Sequence, residues 1–243
     1  MPAARRWLPR WPPSRPALIV ARHARGFDIG QAHAHLLRSD RKLATWMRRL
    51  GPIEAPEGWR RSFDPVDALA RAILFQQLSG KAASTIVGRV EVAIGSSRLH
   101  AGTLGRIDDA ALRACGVSAN KALALRDLAR RETGGGIPSL RRMAFMDHEA
   151  IVESLVEVRG IGRWTVEMML MFRLGRPDIL PIDDLGIRKG LQRVDGLEAM
   201  PAPRELLARG ECWGPYRTYA SLYLWRIADL AAGAKAMTNR SQD

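Results

Sequence analysis

The sequence predicts an all-α protein. Apolar residues recur with the helical period along most of the chain, and the periodic stretches begin at an N-cap residue or proline and end at glycine. Convincing β-strands are absent, since no segment joins alternating apolar residues to flanking turn residues. The 243 residues are 47% hydrophobic, which supports a buried core. We therefore expect roughly ten helices and no sheet.

Local signals set the expected helix boundaries. Asp64 precedes Pro65 in the arrangement that opens a helix, and glycines at positions 51, 95 and 134 follow periodic stretches and close them. The predicted helices cover residues 28–50, 64–78, 81–94, 103–114, 120–131, 147–158, 163–174, 184–194, 203–209 and 215–232.

The charge balance indicates a polyanionic partner. The formal net charge is +13 and nearly all of the excess is arginine, a balance that favours nucleic acid. The alternative is a compositional bias that places arginine wherever a charge is tolerated. No apolar run approaches the length of a membrane span, so we expect a soluble cytoplasmic protein.

The cysteine and histidine content bears on metal sites and compartment. Cys115 and Cys212 are the two cysteines, which excludes a disulfide scaffold and any four-cysteine zinc or iron–sulfur site built from this chain. Reduced thiols are typical of a cytosolic protein. The histidines show no ligand spacing, and we expect no cofactor.

Both ends of the chain lack a clear period. Residues 1–27 are rich in Pro and Arg and predict a mobile basic arm that adds nonspecific affinity for nucleic acid. A transit peptide and a misassigned start codon are the alternatives, although prolines at 9, 12, 13 and 16 argue against the amphipathic helix of the former. Residues 233–243 predict a frayed tail.

Residues 158–165 (VRGIGRWT) predict a tight turn between two helices. Gly160 and Gly162 can adopt positive φ at little cost and leave backbone N–H groups uncovered, and the next helix begins near Arg163. Uncovered N–H groups at a helix N-terminus bind phosphate. A simple turn is the alternative for this segment alone.

A pair of carboxylates follows Pro181 farther along the chain. Asp183 and Asp184 precede the apolar residues 185–187, so one reading is a helix N-cap with a charged first turn. The other reading joins the acid to the phosphate-binding turn, which suggests chemistry on a nucleic acid.

The combination resembles the helix–hairpin–helix DNA glycosylases, whose hairpin reads L-x-G-[IV]-G-x-x-T and is followed by a Gly/Pro-rich stretch ending in a catalytic aspartate. Residues 72–79 (AILFQQLS), 116–122 (GVSANKA) and 213–220 (WGPYRTYA) agree with it, and the likeness runs from about residue 40 to about 230. It is strongest for the type II alkylated-base (3-methyladenine) glycosylases, in their short branch without an N-terminal β domain. The implied fold is two helical lobes, one of residues 64–173 with the hairpin 158–165, the other of residues 28–63 and 174–232.

The resemblance assigns chemistry to particular side chains. Asp184 matches the catalytic aspartate, and Asp183 is expected to be a cap or supporting partner. Trp164 stands where glycosylases that also cut the backbone carry lysine, which implies a monofunctional enzyme using water. Trp164, Trp225 and Met168 would line the base pocket, where an indole face attracts a cationic alkylpurine.

The resemblance also implies the contacts with duplex DNA. Gln77 or Leu78 would enter the minor groove beside the flipped base, and Ser79 and Lys81 would hold flanking phosphates. Gly160, Gly162, Arg163 and Thr165 would hold the strand beyond the lesion. Hairpins of this kind often bind a monovalent cation through backbone carbonyls. The expected partner is duplex DNA with alkylated bases, near the bacterial nucleoid, with no membrane and no obligate protein partner.

Two other functions stay open at this point. A non-enzymatic helix–hairpin–helix DNA-binding module would explain the charge and the turn, but not Asp184 together with the two tryptophans. A glycosylase for another lesion, such as uracil or an oxidised purine, would share the same machinery.

Overall fold

The computed structural model describes the backbone of residues 22–240 and the side chains of residues 22–230, and this part of the chain is all-α, as predicted. It holds thirteen α-helices and two short 3₁₀ helices, Glu57–Trp59 and Gly210–Trp213. The α-helices are α1 Ile29–Ser39, α2 Arg41–Leu50, α3 Pro65–Phe75, α4 Gly80–Ile94, α5 Ala101–Leu104, α6 Asp109–Ala114, α7 Ala119–Thr133, α8 Leu140–Met143, α9 His148–Leu155, α10 Arg163–Phe172, α11 Leu185–Asp195, α12 Pro203–Arg209 and α13 Arg217–Arg240. None of the helices in this region is long and apolar enough to cross a membrane.

The predicted helix over residues 28–50 is wrong, because Asp40 divides it. Asp40 leaves the helical conformation and its carboxylate accepts the Leu43 N–H at 3.1 Å, which caps α2. The same buried carboxylate accepts the Trp213 indole N–H at 2.7 Å and pairs with Arg209 at 2.7 Å. Trp213 and Arg209, which lie far along the chain, therefore fix Asp40 in a non-helical conformation, although the sequence pattern places it inside a helix.

Other elements also differ from the prediction. Residues 103–114 form two helices instead of one, since Asp108 caps a new helix by accepting the Ala111 N–H at 2.8 Å. The helix predicted to reach residue 78 ends at Phe75, because Gln76 takes an extended conformation. The four-residue helix α8 has no counterpart in the prediction.

The buried side chains form two clusters, as expected for two lobes. The first contains apolar residues between Val66 and Ile179, and the second joins residues of α1 and α2 to apolar residues between Leu180 and Ile227. Trp225 packs against both clusters. Trp225 therefore lies at the boundary between the two clusters, which we call the cleft.

Helices α11 and α13 pack with their backbones in close approach. A Cβ atom at Gly190 would lie 2.1 Å from the carbonyl oxygen of Leu224, so only glycine fits there. Gly186, one turn earlier, faces Trp225, where a Cβ atom would lie 2.7 Å from Cδ1 of the indole. These two glycines set the distance between the start of α11 and the Trp225 ring.

The described end of the predicted basic arm is anchored on the helical body. The Arg25 guanidinium donates to the carbonyl oxygens of Gly58 at 2.8 Å and of Arg173 at 2.9 Å, and the Gly26 N–H donates to Leu174 at 3.3 Å. Residues 25 and 26 of the predicted basic arm therefore contact the helical body, and residues 1–21 lie outside the described residues. At the other end, the backbone of α13 stays helical to Arg240, beyond the predicted end at residue 232. It therefore covers most of the tail predicted to fray, residues 233–243. Residues 241–243 lie outside the described region.

Candidate active site

Asp184 lies immediately before α11 and is half-buried at the cleft. Its Oδ1 atom accepts the Ile187 N–H at 2.9 Å, so the carboxylate caps the helix as the simpler sequence reading proposed. Capping fixes the side-chain orientation and adds the favourable field of the helix N-terminus to a negative charge. Capping and chemistry are thus compatible roles for Asp184.

Two tryptophans from different helices bind this carboxylate. The Trp164 indole Nε1 donates to Asp184 Oδ2 at 2.8 Å, and the Trp225 Nε1 donates to Asp184 Oδ1 at 2.8 Å. A carboxylate offers about four acceptor positions. Among the described residues, three donors occupy Asp184, which leaves one acceptor position on Oδ2. The sequence expectation treated both rings as pocket walls and missed their N–H groups.

Trp164 links the hairpin to the carboxylate. It stands in the first turn of α10, directly after the glycine-containing turn, and its side chain is 50% exposed. A single side chain therefore connects the first turn of α10 to Asp184. The contact of the exposed indole with a base stays a prediction.

Trp225 packs against Phe172 and Gly186. Its ring stacks on Phe172 with centroids 5.8 Å apart and an interplanar angle of 27°, while Gly186 leaves room beside it. Met168 is half-buried against the first core cluster. Trp225 is thus a core residue and a donor to Asp184 at once, and Phe172 and Gly186 were not singled out from the sequence.

Asp183 does not cap a helix, contrary to expectation, because the cap is Asp184 itself. Asp183 is exposed, and its charge acts on Glu167, a buried residue of α10. Burial, together with the charges of Asp183 and Glu149, raises the pKa of Glu167 to about 7 against the opposing charge of Arg163. The cleft therefore contains a carboxyl group that titrates near neutral pH.

The hairpin has the expected shape, with one correction. Gly160 has φ of 79°, which requires glycine, whereas Gly162 has φ of −96° and serves as the N-cap of α10 without strain. A Cβ atom at Gly162 would meet no heavy atom within 4 Å, so this position is open toward a ligand. Thr165 is half-buried, and its N–H donates to the Gly162 carbonyl at 3.0 Å. No side chain caps the start of α10, an arrangement that suits an anion, and phosphate binding at this position stays a prediction.

The guanidinium of Arg163 is engaged within the protein. It donates to both carboxylate oxygens of Glu149, at 3.0 Å and 2.5 Å, and lies 3.6 Å from Glu167. The carboxylate of Glu149 therefore neutralises the Arg163 charge that the resemblance would assign to a DNA phosphate. The backbone N–H of Arg163, rather than its side chain, is the group suited to that contact.

Two side chains that sequence reasoning missed hold the hairpin in place. Asp127 accepts the Arg159 N–H at 2.9 Å, and although burial alone would raise its pKa, this bond together with Arg130 and Arg131 lowers it to about 2. The Gln76 amide donates to the Gly160 carbonyl at 2.8 Å. This bond engages one backbone carbonyl of the hairpin, and a monovalent cation on the hairpin carbonyls stays a prediction. The only sequence signal for either residue was the presence of Gln76 in the motif 72–79.

The loop after α3 has the form of a wedge. Gln77 has φ of 58°, the one positive value for a non-glycine residue within the described part of the chain, and Leu78 is 40% exposed. Lys121 fixes the base of this loop by donating to the carbonyls of Leu74 at 2.7 Å and Gln76 at 2.8 Å. Strained backbone and an exposed apolar tip are typical of a segment that meets a partner.

The loop ends at Ser79, which caps α4 by accepting the Ala82 N–H at 3.4 Å. Lys81 follows on an exposed surface. Ser79 therefore has a structural role, and the contact of Ser79 and Lys81 with DNA phosphates stays a prediction.

Comparison with known proteins agrees with this geometry. Residues 70–215 match the model of the HhH-GPD superfamily of base excision DNA repair proteins. The chain is 34% identical over 205 residues to DNA-3-methyladenine glycosylase 1 of Schizosaccharomyces pombe, covering 84% of this chain and 90% of the relative. A crystal structure of a DNA-3-methyladenine glycosidase from Bacillus halodurans superposes with a TM-score of 0.75 at 33% identity, covering 83% of this chain and 91% of the other. The S. pombe 3-methyladenine DNA glycosylase in complex with abasic DNA gives a TM-score of 0.71 at 34% identity, over 81% and 95% of the two chains.

The family match covers the loop of residues 76–79, the hairpin and Asp184, and it ends just before α13. The chain belongs to the HhH-GPD superfamily of base excision DNA repair proteins.

Proposed function

We propose that this protein is a monofunctional DNA glycosylase that removes cationic alkylated purines, such as 3-methyladenine, from duplex DNA. The observation that carries the proposal is the Asp184 carboxylate, held by Trp164 and Trp225 at the end of a phosphate-binding hairpin. The names of the relatives and the complex of one of them with abasic DNA support the same substrate class.

The chemistry follows from the fixed carboxylate. When the C1′–N bond breaks, its electron pair leaves with the base, and positive charge develops on the sugar. Asp184 stabilises this charge by electrostatic attraction, and its remaining Oδ2 acceptor position takes the proton of the attacking water. A cationic alkylpurine leaves as a neutral base and so requires little general acid.

The hairpin and wedge supply the geometry for base flipping. The N-terminus of α10 would hold a backbone phosphate near the lesion, while Gln77 and Leu78 would fill the gap left in the stack. Because Trp164 connects α10 to Asp184, a strand held by the hairpin would place its sugar at a fixed distance from the carboxylate. The exposed face of Trp164 would then stack on the extruded base.

Hydrolysis, rather than strand cleavage, is proposed because no amine stands at the hairpin position. Trp164 occupies the place where a lysine nucleophile would attack C1′. The product is an abasic site in an uncut strand. Such an enzyme acts on chromosomal DNA, which we place in the bacterial cytoplasm.

The decisive experiment is single-turnover base release from duplexes that each contain one lesion, measured with the wild type, Asp184→Asn and Asp183→Asn. We expect Asp184→Asn to lose several orders of magnitude in rate while binding an abasic duplex normally, because a single charge carries the stabilisation. Asp183→Asn is the matched control and should retain most activity. Loss confined to Asp183→Asn would overturn the assignment.

The same reactions distinguish the alternatives. Release of uracil or an oxidised purine ahead of methylated purines would indicate another lesion class. Duplex binding without release of any base would indicate a non-enzymatic module. Borohydride should trap no covalent adduct with DNA, and efficient trapping would contradict the water-dependent mechanism.

A further inference from the structure

A basic cavity lies between the chain segment at residues 22–25 and helix α8. Its volume is about 630 Å³, and its lining includes Arg22, Arg25, Arg141 and Arg176. Arg176 follows the C-terminal end of α10, whereas the hairpin stands at the N-terminal end of this ten-residue helix. At about 1.5 Å per residue, the cavity is separated from the hairpin by about 15 Å along the helix.

Arg176 is a buried charge with incomplete hydrogen bonding. Its side chain is 1% exposed, and Nη2 donates to the carbonyls of Met143 at 2.7 Å and Met146 at 3.1 Å. Its Nη1 atom is buried and has no hydrogen-bond partner. Burial lowers the pKa of Arg176 to about 10, so it stays charged at neutral pH. An unsatisfied buried donor on a charged group is costly, which favours an acceptor supplied from outside the described chain.

The rest of the cavity adds positive charge. Arg22 and Arg141 are exposed, and within the described region no hydrogen bond or ion pair engages either side chain. Arg25, by contrast, is bound to backbone carbonyls. The nearby acids compensate only in part: Asp147 is exposed, and Asp178 is paired with Arg217 at 2.6 Å.

The charge of Arg176 affects the pKa of two nearby histidines. Burial, together with the positive charge of Arg176, lowers the pKa of His148 to about 4. Burial and Arg176 also lower the pKa of His23, which lines the cavity. Both imidazoles are therefore neutral acceptors or donors at neutral pH, and the arginines determine the sign of the site.

We propose that this cavity is a second binding site, separate from the cleft, for a phosphate-class oxyanion held by Arg22, Arg141 and Arg176. Guanidinium groups match phosphate oxygens in geometry and charge. Three of them line this one cavity. The oxyanion is either free phosphate or a backbone phosphate of DNA beyond the segment held in the cleft. The inference stands on the cavity and does not depend on the glycosylase activity.

The test uses the full-length protein and Arg141→Gln, with Arg38→Gln as the matched control on exposed helix α1. Thermal melting is measured with inorganic phosphate and with sodium chloride at equal ionic strength. We expect phosphate to raise the Tm of the wild type and of Arg38→Gln, and to raise that of Arg141→Gln by less than half as much. Equal stabilisation of all three proteins would overturn the site, because it would reflect a general anion effect. Arg22→Gln repeats the test on the opposite side of the cavity. It replaces Arg141→Gln if that variant fails to fold.

A second measurement identifies the source of the oxyanion. Affinity for an undamaged duplex is measured against salt for the same proteins. A DNA phosphate predicts that Arg141→Gln weakens binding and lowers the magnitude of the salt slope by about 0.9 relative to Arg38→Gln. A free phosphate predicts equal duplex affinity, with the loss confined to the melting experiment. If Arg141→Gln matches Arg38→Gln in both measurements, the proposal is wrong, whatever the outcome of the base-release assay.

Discussion

The hydrogen bond from Trp225 to Asp184 makes a measurable prediction about catalysis. Trp225→Phe removes the indole N–H that lies 2.8 Å from Asp184 Oδ1 and keeps an aromatic ring beside Phe172. A hydrogen bond to a charged group contributes about 1.5–3 kcal/mol. If the bond holds the carboxylate in its reactive orientation, the rate of base release should fall by about 10- to 150-fold, since about 1.4 kcal/mol corresponds to a factor of ten.

The assay is single-turnover release of 7-methylguanine and of hypoxanthine from matched duplexes. Because the lost bond acts on Asp184 and not on the base, both rates should fall by the same factor. The effect should vanish in the Asp184→Asn background, which a double-mutant cycle measures. Trp46→Phe, a substitution in α2 remote from the cleft, is the control and should leave the rate unchanged.

Two results would refute the reasoning. An unchanged rate in Trp225→Phe would mean that the bond has no part in orienting Asp184. A loss confined to the cationic base would mean that the Trp225 ring recognises the base directly, as the resemblance first suggested.

Three further predictions follow from the packing and charges of the same region. Gly190→Ala should destabilise the fold by about 1–3 kcal/mol, because its Cβ atom would lie 2.1 Å from the Leu224 carbonyl oxygen. Denaturant unfolding measures this loss of stability. Gly162→Ala is the control, because its Cβ atom would meet no heavy atom within 4 Å, and an equal loss in that variant would contradict the packing argument. Glu167 binds protons more tightly in the folded state, with a pKa of about 7 against an ordinary 4.5, so its contribution to stability is present below pH 4.5 and is lost as pH rises to about 7. Unfolding midpoints at pH 5 and pH 8 should therefore differ less in Glu167→Gln than in the wild type, and an identical pH dependence would refute the burial argument. Gly162→Val should weaken binding to abasic and plain duplexes by the same factor, since it covers the hairpin N–H groups without touching the base pocket; fluorescence anisotropy on the two duplexes checks this, and a loss limited to the abasic duplex would place the hairpin in lesion recognition.

Local sequence signals determined most of the helical framework. Caps and glycine turns act over three or four residues, so Asp64 with Pro65 fixes the start of α3 and Gly95, with φ of 65°, fixes the end of α4. Gly160 at the hairpin belongs to the same class of local signal. The all-α fold, the hairpin and the family membership could therefore be predicted from the chain alone.

Contacts between distant residues decided the details of the candidate site. Trp164 and Trp225 stand 20 and 41 positions from Asp184, and no local rule states that their N–H groups meet one carboxylate. The pairing of Arg163 with Glu149 removed its charge from the predicted DNA contacts in the same way. Hydrogen bonds of this kind depend on how helices pack, and their partners become visible only once the two lobes are assembled.

Asp40 shows why helix continuity also needed the tertiary structure. In the sequence it lies inside an amphipathic stretch and offers no clear break. In the folded protein, Trp213, 173 positions away, and Arg209 bind its buried carboxylate, and α1 ends there. The sequence by itself determined which segments form helices and which fold they build, because those preferences are local. Where a helix is interrupted, which charges are neutralised and what orients the Asp184 carboxylate depended on desolvation and hydrogen bonding across the assembled core.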